Sequence, residues 1–171
     1  MKIFGFAGWS GSGKTSLIVK LIPELINRGY SVSTLKHAHH KFDIDKPGKD
    51  SFEHRHAGAL EVMISSEKRW ALMHENRNVT EPDPKILLDK MKPVDIILVE
   101  GFKHHSHPKL EVHRSKLKKP LLYPNDPHII GIASDGFLET NIKQLDINDF
   151  HAIAEFIEEI CELKLQPSEV M

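Results

Sequence analysis

Lys2-Ile3-Phe4-Gly5-Phe6-Ala7-Gly8-Trp9-Ser10-Gly11-Ser12-Gly13-Lys14-Thr15-Ser16-Leu17-Ile18-Val19-Lys20-Leu21-Ile22 holds a complete G-x-x-x-x-G-K-[ST] pattern, from Gly8 to Thr15. Before it stands a short apolar run that reads as a buried strand. After it, the apolar spacing reads as the start of a helix. Strand, glycine turn and helix are the context in which this pattern binds phosphate. Glycines let backbone N–H groups wrap a phosphate chain, and the helix adds the positive end of its dipole. Gly8, Trp9, Ser10, Gly11, Ser12, Gly13, Lys14 and Thr15 are therefore candidate nucleotide-binding residues. Lys14 would reach the β- and γ-phosphates, and the Thr15 hydroxyl would hold Mg²⁺.

Outward from this loop, strand signals fall at 2–7, 30–36, 62–65, 70–73, 95–99, 110–113 and 129–133. Helix signals fall at about 14–27, 51–58, 83–91 and 148–163. Strands alternating with helices predict an α/β fold, a P-loop NTPase with a mainly parallel sheet flanked by helices. Pro23 removes one donor from the first helix and is expected to kink it. Arg28-Gly29 closes that helix, and Asn148 or Asp149 caps the last one. Residues 61–75 break the alternation: two apolar strands joined by Ser66-Glu67-Lys68-Arg69 predict a β-hairpin insertion. Apolar side chains at both parities ask for cover on both hairpin faces, inside the domain or against a second subunit.

The chain has 171 residues, enough for one self-sufficient core, and a formal net charge of −1. A single domain is expected over 1–165, with a frayed tail at 166–171. The balanced charge points to neither a nucleic-acid nor a membrane partner. Cys161 is the single cysteine; it lies on the apolar stripe of the last helix and reads as a buried structural thiol. Met1 leads at once into a strand, without a signal-peptide pattern, and no apolar run approaches ~18 residues. A soluble, cytoplasmic protein is expected.

A phosphate loop needs an acidic partner for Mg²⁺ or for the attacking group. Asp95-Ile96-Ile97-Leu98-Val99-Glu100 offers a carboxylate at each end, roughly 17 Å apart at ~3.3 Å per residue. Ligands bind at the carboxyl ends of strands in such sheets, which selects Glu100, as a Mg²⁺ partner through water or as a group orienting a nucleophile. The segment from His37 to Ser51 leaves the second strand at the same end. There Lys46 and Lys49 are candidates for phosphate and Asp45 for Mg²⁺ or a catalytic water. His37, His39 and His40, with His104, His105 and His107, suit either a transition metal or anions. Asp135, after the apolar run 129–133, is a candidate guanine reader: a carboxylate accepts from N1–H and N2–H₂, which adenine does not offer. A plain turn aspartate before Gly136 is the alternative.

Several segments resemble the molybdopterin-guanine dinucleotide biosynthesis protein B family. They are Ala7–Thr15, Lys36-His37-Ala38-His39-His40, Asp45-Lys46-Pro47-Gly48-Lys49-Asp50-Ser51, Arg69–Met73 and Val99-Glu100-Gly101-Phe102-Lys103-His104. Ala133-Ser134-Asp135 and Leu145-Asp146-Ile147-Asn148-Asp149 fit as well, and Ala38 stands where that pattern has Thr. The likeness runs from residue 3 to about 160. It implies a GTP-binding protein with at most slow GTPase activity, assisting a separate guanylyltransferase that attaches GMP to molybdopterin. It also implies GTP and Mg²⁺ as ligands, molybdopterin as a possible bound substrate, and a homodimer with the hairpin as contact. Gly11, Gly13, Lys14 and Thr15 carry over as phosphate and Mg²⁺ contacts, and Glu100 as the acidic group. Two other functions fit a P-loop, a small-molecule kinase and a histidine-rich metallochaperone GTPase. The arginines Arg28, Arg55, Arg69, Arg77 and Arg114 form no cluster of the kind a kinase lid uses.

Overall fold

The computed structural model describes residues 1–38, 42–102 and 105–164. His39, His40, His104 and the tail at 166–171 lie outside them. Two compact units are distinguished, residues 1–37 with 91–171, and residues 38–90.

The first unit is built on a six-stranded sheet. Its strands are β1 (Lys2–Ala7), β2 (Val32–Lys36), β5 (Ile96–Glu100), β6 (Lys109–His113), β7 (Ile129–Ser134) and β8 (Lys143–Asp146). They lie in the order β2-β5-β1-β6-β7-β8, and every pairing is parallel. β8 is absent from the strand signals: Lys143-Gln144-Leu145-Asp146 is half exposed and joins the edge through backbone pairing with β7. Parallel neighbours need crossovers, here supplied in part by α1 (Lys14–Asn27) and followed by α4 (Phe150–Cys161).

One sheet face packs on these two helices. Phe4, Phe6 and Leu110 from the strands meet Leu21, Leu25, Ile153 and Ile157 from the helices, all fully buried. Phe4 makes edge-on contacts with Phe6 at 5.6 Å and Phe156 at 6.3 Å between ring centres. α1 continues through Pro23 as one element. Asp149 caps α4, its carboxylate accepting from the Ala152 N–H. Cys161 is buried in this core, and burial pushes its thiol up to about 11, away from the reactive thiolate.

The second unit holds α2 (Asp50–His56), α3 (Pro84–Leu88) and an antiparallel hairpin of β3 (Glu61–Ser65) and β4 (Trp70–His74). Val62 and Met73, opposite each other in register, are buried. The other face carries the pairs Met63–Leu72 and Ser65–Trp70, with Met63 62%, Trp70 60% and Leu72 40% exposed. Arg77 fastens this unit, donating to the carbonyls of Gly58, Arg55 and Ala59 at 2.6, 2.9 and 3.0 Å. Among the described residues no helix is long and apolar enough to cross a membrane.

Candidate functional site

The end of β1 runs directly into the glycine loop, and the loop into α1. Gly8 has φ 147°, and a Cβ on it would lie 2.6 Å from the Val112 carbonyl of neighbouring β6. No side chain fits there, so glycine is required for the turn. Ser12 is buried within the loop, its hydroxyl without a hydrogen-bond partner among the described residues. Lys14 Nζ donates to the carbonyls of Gly8 at 2.9 Å and Trp9 at 3.1 Å, which holds the cation across the loop. Ser10 is exposed at the loop tip beside Gly11.

Glu100 is the last residue of β5, which pairs directly with β1. This pairing brings its carboxylate to the first turn of α1. The Thr15 hydroxyl lies 2.9 Å from Oε1 and 3.0 Å from Oε2, and Lys36 Nζ from β2 lies 3.4 Å from Oε2. Residues 85 positions apart thus present hydroxyl and carboxylate oxygens side by side. Oxygen donors of this kind suit Mg²⁺. Asp95, at the opposite end of β5, instead accepts from the Ser31 N–H and hydroxyl at 2.8 and 2.6 Å. Those bonds hold its carboxyl below the usual carboxylate range.

Beyond Glu100, Gly101 approaches His37 so closely that a Cβ would sit 2.8 Å from the histidine Cβ. The His37 ring stacks on Phe102 at 4.7 Å, and His105 meets the same ring edge-on at 5.5 Å. Among the described residues, no three His, Cys, Asp or Glu side chains converge as metal ligands.

Asp45, Lys46 and Lys49 belong to the second unit. Asp45 accepts from the Ser51 hydroxyl at 2.8 Å, and its other oxygen faces Arg55 Nε across 3.7 Å. Arg55 also pairs with Asp43 at 2.6 Å and Glu75 at 3.3 Å. Lys46 and Lys49 are exposed on a turn in which the Lys49 N–H donates to the Lys46 carbonyl.

Asp135 follows β7. Its Oδ1 accepts from the Ser115 N–H at 2.9 Å and hydroxyl at 3.0 Å, and Arg114 Nη1 lies 3.6 Å from Oδ2. The Ser115 N–H, foremost, holds the Asp135 carboxyl below the usual range. Arg114 is a neighbour that spacing alone does not mark. It stands by itself in the sequence, yet its Nε and Nη2 lie 3.7 Å from where a Cβ on Gly13 would be.

The strand before Arg114 carries polar side chains that are fully covered. Lys109 pairs with Asp126 at 2.8 Å, and Glu111, 0% exposed, accepts from the N–H groups of Leu122 and Tyr123. Burial raises the Glu111 carboxyl, and those two N–H groups oppose it. These bonds pin the segment after Arg114, and Trp9 joins in, its indole N–H donating to the Pro120 carbonyl at 2.8 Å. The phosphate loop therefore has a fixed wall on its β6 side.

Residues 3–135 match the family described as Molybdopterin guanine dinucleotide synthesis protein B, MobB. The chain is 44% identical over 160 residues to the molybdopterin-guanine dinucleotide biosynthesis adapter protein of Escherichia coli (strain K12), covering 92% of this chain and 91% of that protein. The adapter protein of the same name from Haemophilus influenzae is 42% identical over 157 residues, covering 91% and 87%. A crystal structure of molybdopterin-guanine biosynthesis protein B superposes with a TM-score of 0.73 at 25% identity, covering 92% of this chain and 98% of that one. The MobB homologue from Bacillus stearothermophilus shares the fold, with a TM-score of 0.68 at 20% identity over 95% and 99% of the two chains. With a matching family over most of its length and relatives above 40% identity, the chain belongs to the molybdopterin guanine dinucleotide synthesis protein B family.

Proposed function

We propose that this protein is a cytoplasmic GTP-binding adapter in molybdopterin guanine dinucleotide biosynthesis. The observation that carries the nucleotide reading is the meeting of Thr15 and Glu100 at a complete phosphate loop. Gly8 to Gly13 would wrap the phosphates with backbone N–H groups, and Lys14 would exchange its bonds to Gly8 and Trp9 for β- and γ-phosphate oxygens. The Thr15 hydroxyl would hold Mg²⁺, with Glu100 beside it through water. The metal, when bound, neutralises charge on the phosphate oxygens. Lys46 and Lys49 are further phosphate candidates, and Asp45 a candidate for a catalytic water.

The role is adaptor rather than fast catalyst. Arg114 lies beside the phosphate loop, and its charge faces Asp135. A slow GTPase is the most this arrangement supports. The names of the relatives support the pathway, and the guanylyltransferase that joins GMP to molybdopterin is the partner proposed, with molybdopterin itself as a possible bound substrate. The apolar hairpin face of Met63, Trp70 and Leu72 supports a homodimer.

Calorimetry with GTP, ATP and Mg²⁺ tests the nucleotide reading. GTP should bind more tightly than ATP, chelating Mg²⁺ should weaken it, and Lys14→Ala should abolish triphosphate binding. Undiminished affinity in Lys14→Ala removes the phosphate loop from the function. Pull-down of the guanylyltransferase with and without GTP tests the adapter role.

A further inference from the structure

The carboxyl ends of β7 and β8 lie side by side, with Ser134 in register with Asp146. A cavity of about 460 Å³ opens there, bordered by Asp135, Phe137, Gln144 and Asp146. It lies within the size range of small-ligand pockets. Its rim is joined to the phosphate loop by consecutive contacts. Nε and Nη2 of Arg114 lie 3.7 Å from the Cβ position of Gly13, and its Nη1 meets Asp135 at 3.6 Å. Ser115 holds Asp135 and also lies 3.3 Å from the Cβ position of Gly136. A nucleotide with its phosphates in the loop therefore has a path along Arg114 to the cavity.

The contents of the cavity suit a planar ring with donor edges. Phe137 is 90% exposed. It stands on a turn whose backbone is fixed from both sides, because Gln144 donates to the Gly136 carbonyl at 2.7 Å and accepts from the Leu138 N–H at 3.1 Å. A phenyl ring held out in this way offers its face to a base. Gln144 is engaged through both its amide nitrogen and its oxygen in holding the turn, and two carboxylates border the cavity as readers. Asp135 is engaged through both oxygens, by Ser115 and Arg114. Asp146 accepts from the Asn148 N–H and side-chain amide through Oδ1 alone, and its Oδ2 has no partner among the described residues.

We propose that this cavity is the base pocket of the nucleotide site. Phe137 stacks on the purine, Asp146 accepts from N1–H and N2–H₂ of guanine, and Arg114, held by Asp135, positions the nucleotide between base and phosphates. The proposal rests on the reading of Gly8–Thr15 as a triphosphate loop. An amide at position 146 would offer a donor where xanthine carries a C2 carbonyl, and would still accept from N1–H. The base preference should therefore move with that single atom change.

Titration of the full chain with GTP, ATP and xanthosine triphosphate, each with Mg²⁺, is the test. Asp146→Asn should lose GTP affinity about tenfold or more and gain affinity for xanthosine triphosphate. Phe137→Ala, an exposed site outside the core, should weaken GTP and ATP by similar factors, about fivefold or more. Asp135→Asn should weaken all three nucleotides alike, by loosening Arg114. A gain for xanthosine triphosphate in Asp135→Asn instead makes Asp135 the reader and overturns the assignment. GTP binding with unchanged base preference in Asp146→Asn removes the base pocket alone. Absence of triphosphate binding in the parent chain removes the phosphate-loop reading and this proposal with it.

Discussion

Lys14 and His107 show how one side chain acquires its properties from what surrounds it. Lys14 donates to two loop carbonyls, so the turn keeps its cation at the loop, where phosphate oxygens are proposed to replace those acceptors. His107 is half-buried beside β1 and β6. Burial, foremost, and the charges of Lys109, His105 and His128 push its imidazole down to about 4, while Asp126 pulls the other way. An unfolded chain would protonate this histidine near 6.5. Between about 6.5 and 4 the unfolded state therefore binds a proton that the folded state refuses, and stability falls as pH drops through that window. Thermal melts at pH 7 and pH 5 should show this fall, and His107→Gln should flatten it. An unchanged slope in that variant would assign the effect to other groups.

At the scale of elements, β6 and its neighbours explain why the phosphate loop is rigid on one side. A strand whose Lys109, Glu111 and His113 are all buried would be costly if those groups lacked partners. Asp126 and the N–H groups of Leu122 and Tyr123 supply partners for the first two, and the segment that provides them is held in place as a result. β1 meets this region through Gly5, where a Cβ would collide with His107 Nε2 and lie 3.0 Å from Lys109 Cγ. Gly5→Ala is expected to destabilise the protein by about 1–3 kcal/mol through overpacking. Chemical denaturation of Gly5→Ala, His107→Ala and the double variant checks it. The double variant should cost less than the sum of the singles, since removing the imidazole makes room. Strict additivity would mean that the two residues do not press on each other.

At the scale of the whole molecule, the hairpin face predicts association, and the chain order predicts where the chemistry lies. Leu72→Asp puts a charge into the exposed row of Met63, Leu72 and Trp70 and should shift a homodimer to monomer in sedimentation velocity, with the fold retained. If parent and variant both sediment as dimers the interface lies elsewhere, and a monomeric parent overturns the proposed homodimer. Much of this was legible in the sequence, because it depends on local rules: the glycine pattern of the phosphate loop, the period of α1 and α4, the apolar runs of the central strands and the hairpin turn. The strand order was legible only as a class, alternating and parallel. β8 escaped because an edge strand with one face in water needs little apolar patterning, and its pairing with β7 is made by backbone groups that every residue carries. Glu100 could be named from its place at a strand end, but its distance to Thr15 followed only from β5 pairing with β1. Arg114 carried no signal at all, since it becomes a neighbour of Gly13 only when β6 docks on the other side of β1. The sequence by itself determined that a phosphate-binding turn sits between a buried strand and a helix. The tertiary structure decided what surrounds that turn, because parallel neighbours are distant in the chain and only the crossovers bring their ends together.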